Sequence, residues 1–357
     1  MANQVAYGFM NLAEIMGRRV TEVGVSVVTD AIEQSVAEHN RQMDAILALF
    51  VERTTDFKIR YRTPIPARLQ PLTQDGRALP IVTAGNYDVS FPLQMAGIAA
   101  GKNYVTGQLM TVAEASELTS ALLESDFRWM RDHILAALFT NVSWTHTDPE
   151  KGALTIQGLA NADAVLYQVR TGADVGGTDN HYLAQANTIG AGADNPFGTI
   201  RSELLEHPEN GGEVVVFVPT NLKASIVALT TFNSMRDPNI TTGANADVLT
   251  GNLGVNVPGD IFGYEDAKVW LSEWMSLPDN YMVAVTTQGP RPLKMREYPE
   301  ASLQGFNKVA ARDDHPWYEE QYMRICGFGA NNRVGAVVQR IGNASYAIPT
   351  NYTSPMP

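Results

Sequence analysis

Apolar and polar positions follow two rhythms along this chain, and the change of rhythm marks its elements. From about Thr21 to Glu52, Val25, Val28, Ile32, Val36, His39, Met43, Ile46 and Phe50 recur at spacings of three and four. That spacing lays one apolar stripe, interrupted by His39, along a long helix. A stripe of this length needs a surface to dock on, either the chain's own core or a neighbouring molecule.

The rhythm then shortens. Phe57, Ile59 and Tyr61 alternate with Lys58, Arg60 and Arg62, and Tyr87, Val89, Phe91 and Leu93 alternate in the same way. Both segments read as half-buried strands. Between them, Gln74-Asp75-Gly76 offers a glycine for the positive φ of a three-residue hairpin loop. A turn there predicts the pairs Phe57 with Leu93, Ile59 with Phe91, Tyr61 with Val89 and Arg62 with Asp88. Each arm would extend on the order of 55 Å. Pro64, Pro66, Pro71, Pro80 and Pro92 suit exposed edges. A two-stranded ribbon is marginal alone, so it lies on a neighbouring molecule or folds back on its own domain.

Thr111-Val-Ala-Glu114 is a capping box. The apolar positions Leu118, Leu122, Leu123, Phe127, Met130, Ile134 and Leu138 carry the helix it opens to about Thr140. That rod measures about 45 Å. Ala153 to Ile156 and Ala164 to Val169 look strand-like, and a glycine-rich stretch runs from Gly172 to Asp194. Pro196 suits the first turn of a helix reaching Leu205. Glu213 to Val218 is nearly continuous in apolar residues, as in a strand buried on both faces, and leads to a helix over Leu222 to Phe232. Strands follow near Lys268 to Leu271, Tyr281 to Val285, Glu320 to Cys326 and Arg333 to Gln339. No internal repeat interrupts this order.

Composition narrows the classes. The 357 residues include 45% hydrophobic and 18% charged residues, an ordinary globular balance. No apolar run reaches the roughly 18 residues of a membrane span, and residues 1–11 lack a signal-peptide layout. One cysteine, Cys326, leaves no intramolecular disulfide and no cysteine-rich zinc site, and is expected to be a buried, inert thiol. The net charge of −12 opposes wrapping nucleic acid over the whole surface, although a container for it stays compatible.

Catalytic motifs are absent. There is no nucleophile elbow, phosphate loop, zinc-protease helix or calcium loop. Gly190-Ala-Gly192 and Gly327-Phe-Gly329 begin like dinucleotide fingerprints, but Asn195 and Asn332 stand where the third glycine belongs. The six histidines, His39, His133, His146, His181, His207 and His315, include no i, i+4 pair, so metal ligation has no local support. His39 reads as a packing residue. Glu319 and Glu320 point to opposite sides of a strand, and Asp313-Asp314 reads as a solvated turn. No catalytic, cofactor-binding or metal residues are assigned.

The order of elements, closed by Tyr322-Met-Arg-Ile-Cys-Gly-Phe-Gly329, Arg333-Val-Gly-Ala-Val-Val-Gln-Arg340 and Tyr346-Ala-Ile-Pro349, resembles the major capsid proteins of tailed bacteriophages with the Hong Kong 97-like fold, and more distantly the encapsulins. The resemblance implies an α+β fold with an N-terminal arm over 1–55 and an extended E-loop hairpin over 56–110. It implies a peripheral domain from 111–171 and 289–357, with its spine helix over 111–140, and an axial domain over 172–288. It implies pentamers and hexamers that build an icosahedral head around double-stranded DNA, in a virion assembled in the host bacterial cytoplasm. Copies of the chain, portal, scaffolding and decoration proteins would be its partners, with no membrane, cofactor or enzymatic step. Loops such as Asp237 to Gly251 would cluster at the five- and six-fold axes. About 55 residues before the hairpin are fewer than a cleaved scaffolding segment needs, which implies a separate scaffolding protein or none. Lys58, the only lysine of the outgoing strand, lies near the hairpin base, so no inter-subunit crosslink is carried over. The alternatives are an encapsulin-type compartment shell and a cytoplasmic α/β enzyme using the strand-turn-helix over Val214 to Phe232.

Charge supplies candidate interface residues. Arg53, Lys58, Arg60, Arg62, Arg68 and Arg77 face only Asp56 and Asp75 in their segment, with Gly76 at the turn. The long helix carries Glu114, Glu117, Glu124, Asp126 and Asp132 against Arg128 and Arg131. The expected contact sets the basic hairpin on a neighbour's acidic helix.

Overall fold

The computed structural model describes residues 15–62, 69, 72, 76, 85–170, 178–234, 262–265, 269–314 and 317–352. It divides into two units: Met1–Asp44, Gln94–Arg131 and Glu297–Cys326 form the first, and Ala45–Leu93, Asp132–Arg296 and Gly327–Pro357 the second. Among the described residues, no helix is long and apolar enough to cross a membrane.

The first unit begins with two helices, α1 (Val20–Val23) and α2 (Val25–Leu47), split at Gly24, whose φ of +112° an L side chain rarely adopts. Val28, Ile32, Val36, His39 and Met43 are among its less exposed positions, so this part of the stripe faces inward, whereas Val25 at its start is 58% exposed. The helix stops at Leu47, short of the expected Glu52, because the chain turns into a strand, β1 (Val51–Thr54). Strand β4 (Gln94–Asn103), a short helix α3 (Tyr104–Leu109) and the long helix α4 (Val112–Phe139) follow the hairpin segment. The capping box forms as predicted: the Thr111 amide donates to Glu114 Oε2 at 2.8 Å, and the Glu114 amide donates to Thr111 Oγ1 at 3.3 Å. Toward the end of the chain come β14 (Phe306–Asp314) and β15 (Trp317–Ala330), antiparallel, with β15 pairing β4 on its other side. Leu122, Phe306 and Tyr322 are buried together, with Val36, Ile98 and Ala100 packed on them. Asp313 and Asp314, expected in a turn, continue the ladder opposite Tyr318 and Trp317.

In the second unit, β2 (Lys58–Arg62) and β3 (Asn86–Ser90) form the antiparallel stub of the predicted hairpin. Its register is two residues from the expected one: Ile59 faces Val89, Arg60 faces Asp88 and Tyr61 faces Tyr87. A two-residue slip keeps every side chain on its face, so alternation cannot tell the two apart. The observed pairing sets Arg60 on Asp88 with two hydrogen bonds, of 2.7 and 3.0 Å, and stacks Tyr61 on Tyr87 at 5.4 Å between ring centroids. Gly76 has the expected positive φ, +67°, while Gln74 and Asp75 lie outside the described residues.

The rest of this unit surrounds a seven-stranded mixed sheet. Its members are β7 (Tyr182–Gln185), β8 (Gly211–Val218), β9 (Phe232–Ser234), β10 (Phe262–Glu265), β11 (Val269–Glu273), β12 (Tyr281–Gln288) and β16 (Ala336–Ile341), in the order β7-β16-β12-β8-β11-β10-β9. The run from Val214 to Val218 is wholly buried, as its unbroken apolar sequence predicts. Helices α5 (Phe197–Leu205) and α6 (Lys223–Val227) cover it with Phe197, Ile200, Leu204 and Ile226. The expected helix over Leu222–Phe232 is cut to one turn and a half because Phe232–Ser234 pairs with β10 instead. Ala164 to Val169 is not a strand: φ is +51° at Ala162 and +63° at Ala164, and Tyr167 packs against Ala160 and Val334. The closing strand starts at Ala336, not Arg333, because the chain turns just before it, the Gly335 amide donating to the Asn332 carbonyl at 3.0 Å. Strands β5 (Trp144–Asp148) and β6 (Gly152–Ile156) form a separate hairpin, and β1 runs parallel to β13 (Leu293–Glu297).

Gly327-Phe-Gly329, which begins like a nucleotide-binding loop, has a packing role. A Cβ at Gly327 would stand 2.4 Å from the Pro92 carbonyl oxygen, and one at Gly329 would stand 2.8 Å from that of Ser90. The strand passes so close to the 90–92 backbone that only glycine fits. Gly327→Ala should lower stability by about 1–3 kcal/mol, the usual cost of overpacking. Equilibrium urea unfolding checks this, and an unchanged midpoint would disprove the close approach.

Candidate functional site

The residues expected to make contacts between subunits fall into distinct environments. In the hairpin stub, Arg60 and Lys58 both reach Asp88, the latter at 2.5 Å. Hydrogen bonds from Arg60 and then Lys58 hold the Asp88 carboxyl well below the usual carboxylate range. Arg60 is thus an intrachain partner as well as a surface cation. Arg62 is exposed at the far end of the described stub. Gly76 is exposed with open space around its Cβ direction, and Arg68, Asp75 and Arg77 lie outside the described residues, as does Asp237 to Gly251. Leu69 is fully exposed, and Leu72 is 64% exposed. These are large, exposed apolar side chains.

On α4, Glu114 is spent on the cap, Glu117 is exposed, and Glu124 pairs with Arg128 one turn on. Asp126 does not belong with them. It is buried, accepting from Arg324 Nε and NH2 at 2.5 and 2.7 Å, and lies 2.7 Å from His39 Nε2. Burial alone would raise its pKa, but hydrogen bonds from His39 and Arg324 outweigh it and lower the value. A carboxylate held in this way cannot meet a neighbour, so Asp126 leaves the interface set. Asn40 extends the network: its Oδ1 accepts from Arg324 at 3.1 Å and from the Phe306 amide at 2.9 Å, and its Nδ2 donates to the Phe306 carbonyl at 3.0 Å. His39 is therefore a satisfied internal residue, as expected. Cys326 is also buried, its sulfur 3.6 Å from that of Met130.

The first unit carries further exposed apolar residues. Val25 and Val27 on α2, Met95 on β4, and Tyr104, Val105 and Leu109 on α3 are each more than two-fifths exposed. An apolar groove of about 320 Å³ lies in the same unit, lined in part by Val28, Ile32, Ala115, Leu118 and Leu122.

The second unit holds a comparable internal pair. Asp148 Oδ2 accepts from Arg296 NH1 at 2.6 Å, while Oδ1 accepts from the amides of Glu150 and Lys151 at 2.9 and 2.8 Å. Burial would raise the Asp148 pKa, but those amides and Arg296 bring it below the ordinary value. Sequence reading also missed a convergence in this unit: Asp179, His181 and His207 bring their side chains together although no local spacing announces it.

No protein-family model matches the sequence, and no curated protein does either. Solved structures do match. A protein of Mycobacterium phage Patience superposes with a TM-score of 0.68 over 99% of this chain and 99% of its own, at 17% identity. The two chains share a fold. A chain of the capsid of a native GTA particle (9% identity, 83% of this chain and 90% of that one) and one of the mature capsid of bacteriophage PhiM1 (10%, 82% and 84%) each reach a TM-score of 0.48. Overlap at that level is too loose to argue from.

Proposed function

We propose that this chain is the major shell subunit of a tailed bacteriophage, a structural protein with the Hong Kong 97-like fold. It assembles as pentamers and hexamers into an icosahedral head that encloses double-stranded DNA. The observation that carries the reading is the fold shared with a phage protein over 99% of both chains. Three features of the chain agree with it. A two-stranded stub, anchored on its own unit by the Tyr61–Asn331 hydrogen bond and the Tyr87–Tyr167 contact, leads into a proline-marked segment with basic residues and exposed Leu69 and Leu72. A second set of bare apolar side chains, on α2, β4 and α3, asks for cover from another molecule. The net charge of −12 limits adhesion of packaged DNA to the wall.

In this reading the hairpin of one copy lies on the acidic α4 of the next, through Arg62, Arg68 and Arg77 against Glu117 and Glu124. Apolar residues provide most of the affinity and charge fixes the register. Asp75 and Gly76 shape the tip, and Arg60 holds the base through Asp88. Repetition of modest contacts around a closed shell makes the whole stable. Portal, scaffolding and decoration proteins are the further partners of such a shell.

Negative-stain microscopy of the purified full chain tests the proposal. Closed uniform shells, or rings of five and six subunits, are the expected result. A monomer or small oligomer that binds a small molecule saturably would overturn it in favour of an enzyme. Shells that package a specific enzyme in place of DNA would move the reading to a compartment protein.

A further inference from the structure

His181 and His207 each point one ring nitrogen at a backbone carbonyl: Nδ1 of His181 lies 2.7 Å from the Ala336 oxygen, and Nδ1 of His207 lies 3.0 Å from that of Gln168. A carbonyl has no proton to give, so in both rings Nδ1 carries the hydrogen. In the neutral form each ring then presents a lone pair on Nε2. Those two nitrogens face each other at 3.2 Å in a site where both rings are at most 1% exposed. The carboxylate of Asp179, 4% exposed, completes the group, with Oδ1 3.4 Å from His181 Nε2 and Oδ2 3.2 Å from His207 Nε2. Neither carboxylate oxygen has a hydrogen-bond donor while both Nε2 atoms lack a proton.

Converging acceptors without donors are costly when buried, and only a cation relieves them all. A single shared proton supplies one donor for several acceptors. The spacing fits something larger. A zinc ion with bonds of about 2.0–2.1 Å in a tetrahedron sets its ligand atoms about 3.3–3.4 Å apart. The 3.2 Å between the two Nε2 atoms lies close to that edge, and the Asp179 carboxylate offers Oδ1 to His181 at 3.4 Å and Oδ2 to His207 at 3.2 Å. Glu203 groups with Asp179 and Glu206, their oxygens within 4.8 Å of one another.

We propose that Asp179, His181 and His207 bind one divalent transition-metal ion of the zinc class as its three protein ligands. Imidazole ligands favour such an ion over magnesium or calcium. The two carbonyls that fix the tautomers are the outer-shell partners that metal-bound histidines usually have. The site also has a mechanical role. Strand β7, only four residues long, is the end strand of the seven-stranded sheet. A metal there would pin it to the exit of α5, where His207 lies, and through the Ala336 carbonyl to β16.

The test uses the full chain, stripped by chelator and retitrated with Zn²⁺ and with Co²⁺. One ion per chain, a tetrahedral cobalt spectrum and a higher melting temperature with Zn²⁺ are expected. Asp179→Asn and His207→Gln, checked for folding by circular dichroism, should each weaken binding by more than the roughly 10- to 100-fold typical of outer-shell changes. Absence of binding in the wild-type chain, or unchanged affinity in the folded variants, would overturn the proposal and leave a shared proton as the occupant. Should both variants fail to fold, the wild-type cobalt spectrum decides: an octahedral, water-rich spectrum overturns the site.

Discussion

Replacing Arg324 by Met should cost about 3–5 kcal/mol, because it leaves the Asp126 carboxylate buried with His39 as its remaining side-chain partner. The pair joins α4 to β15, and Arg324 also reaches Asn40 of α2, so one guanidinium ties its own strand to two helices. Equilibrium unfolding of the subunit measures the loss. Asp126→Leu combined with Arg324→Met should recover most of it, since replacing both charges by apolar groups is often neutral or better while removing one is not. If the single and double variants are equally unstable, the loss lies in packing and not in the stranded charge. The pH dependence carries a second signature. The folded pKa of Asp126 is depressed, so its contribution is complete above the unfolded value of about 3.9 and disappears as pH falls through the folded value. In Arg324→Met burial is opposed by less, the folded pKa rises, and acid sensitivity should begin at higher pH.

That network shows where sequence reading stops. Asp126 carries the same charge as Glu117 and Glu124 and sits among them, and nothing local marks it as internal. Its partner lies 198 residues away. Asp179, His181 and His207 are similar: they meet because the start of β7 and the exit of α5 bring them together. Long-range convergence of this kind leaves no period in the chain.

What was legible is what local physics decides. Thr111 and Glu114 announce the start of α4 because the cap is made within four residues, and the Val214–Val218 run announces a buried strand because both faces are apolar. Strand β4 was missed for the converse reason. Its more exposed face carries Met95, Gly97, Ala99 and Gly101, its other face Ala96, Ile98 and Ala100, and such small residues give no contrast between the faces. The hairpin was read as an element but two residues out of register, since a period of two cannot resolve a shift of two. The helix after Leu222 was overextended because the pairing of Phe232–Ser234 with β10 depends on a strand 30 residues on.

Reversal of the hairpin charges should abolish shell formation while the subunit stays folded, and the structure identifies which charges to reverse. Arg60 is a poor choice. A Glu there would face Asp88 across the ladder, where like charges destabilise the stub itself, so failure to assemble would have two causes. Arg62 faces Asn86 and is exposed, and Arg68 lies further along the same basic segment. Arg62→Glu with Arg68→Glu should therefore leave the circular dichroism and melting temperature unchanged. Against Glu117 and Glu124 of a neighbour, two attractive contacts become repulsive, and like-charge juxtaposition costs several kcal/mol. A shell repeats that penalty at every contact, so microscopy should show no closed particles. Glu117→Arg with Glu124→Arg in the same chain restores opposite signs and should recover particles, whereas Arg62→Lys with Arg68→Lys, which keeps the charge, should assemble without rescue. Normal shells from the Arg62→Glu, Arg68→Glu chain would mean that these cations face solvent and that Leu69 and Leu72 hold the contact without them.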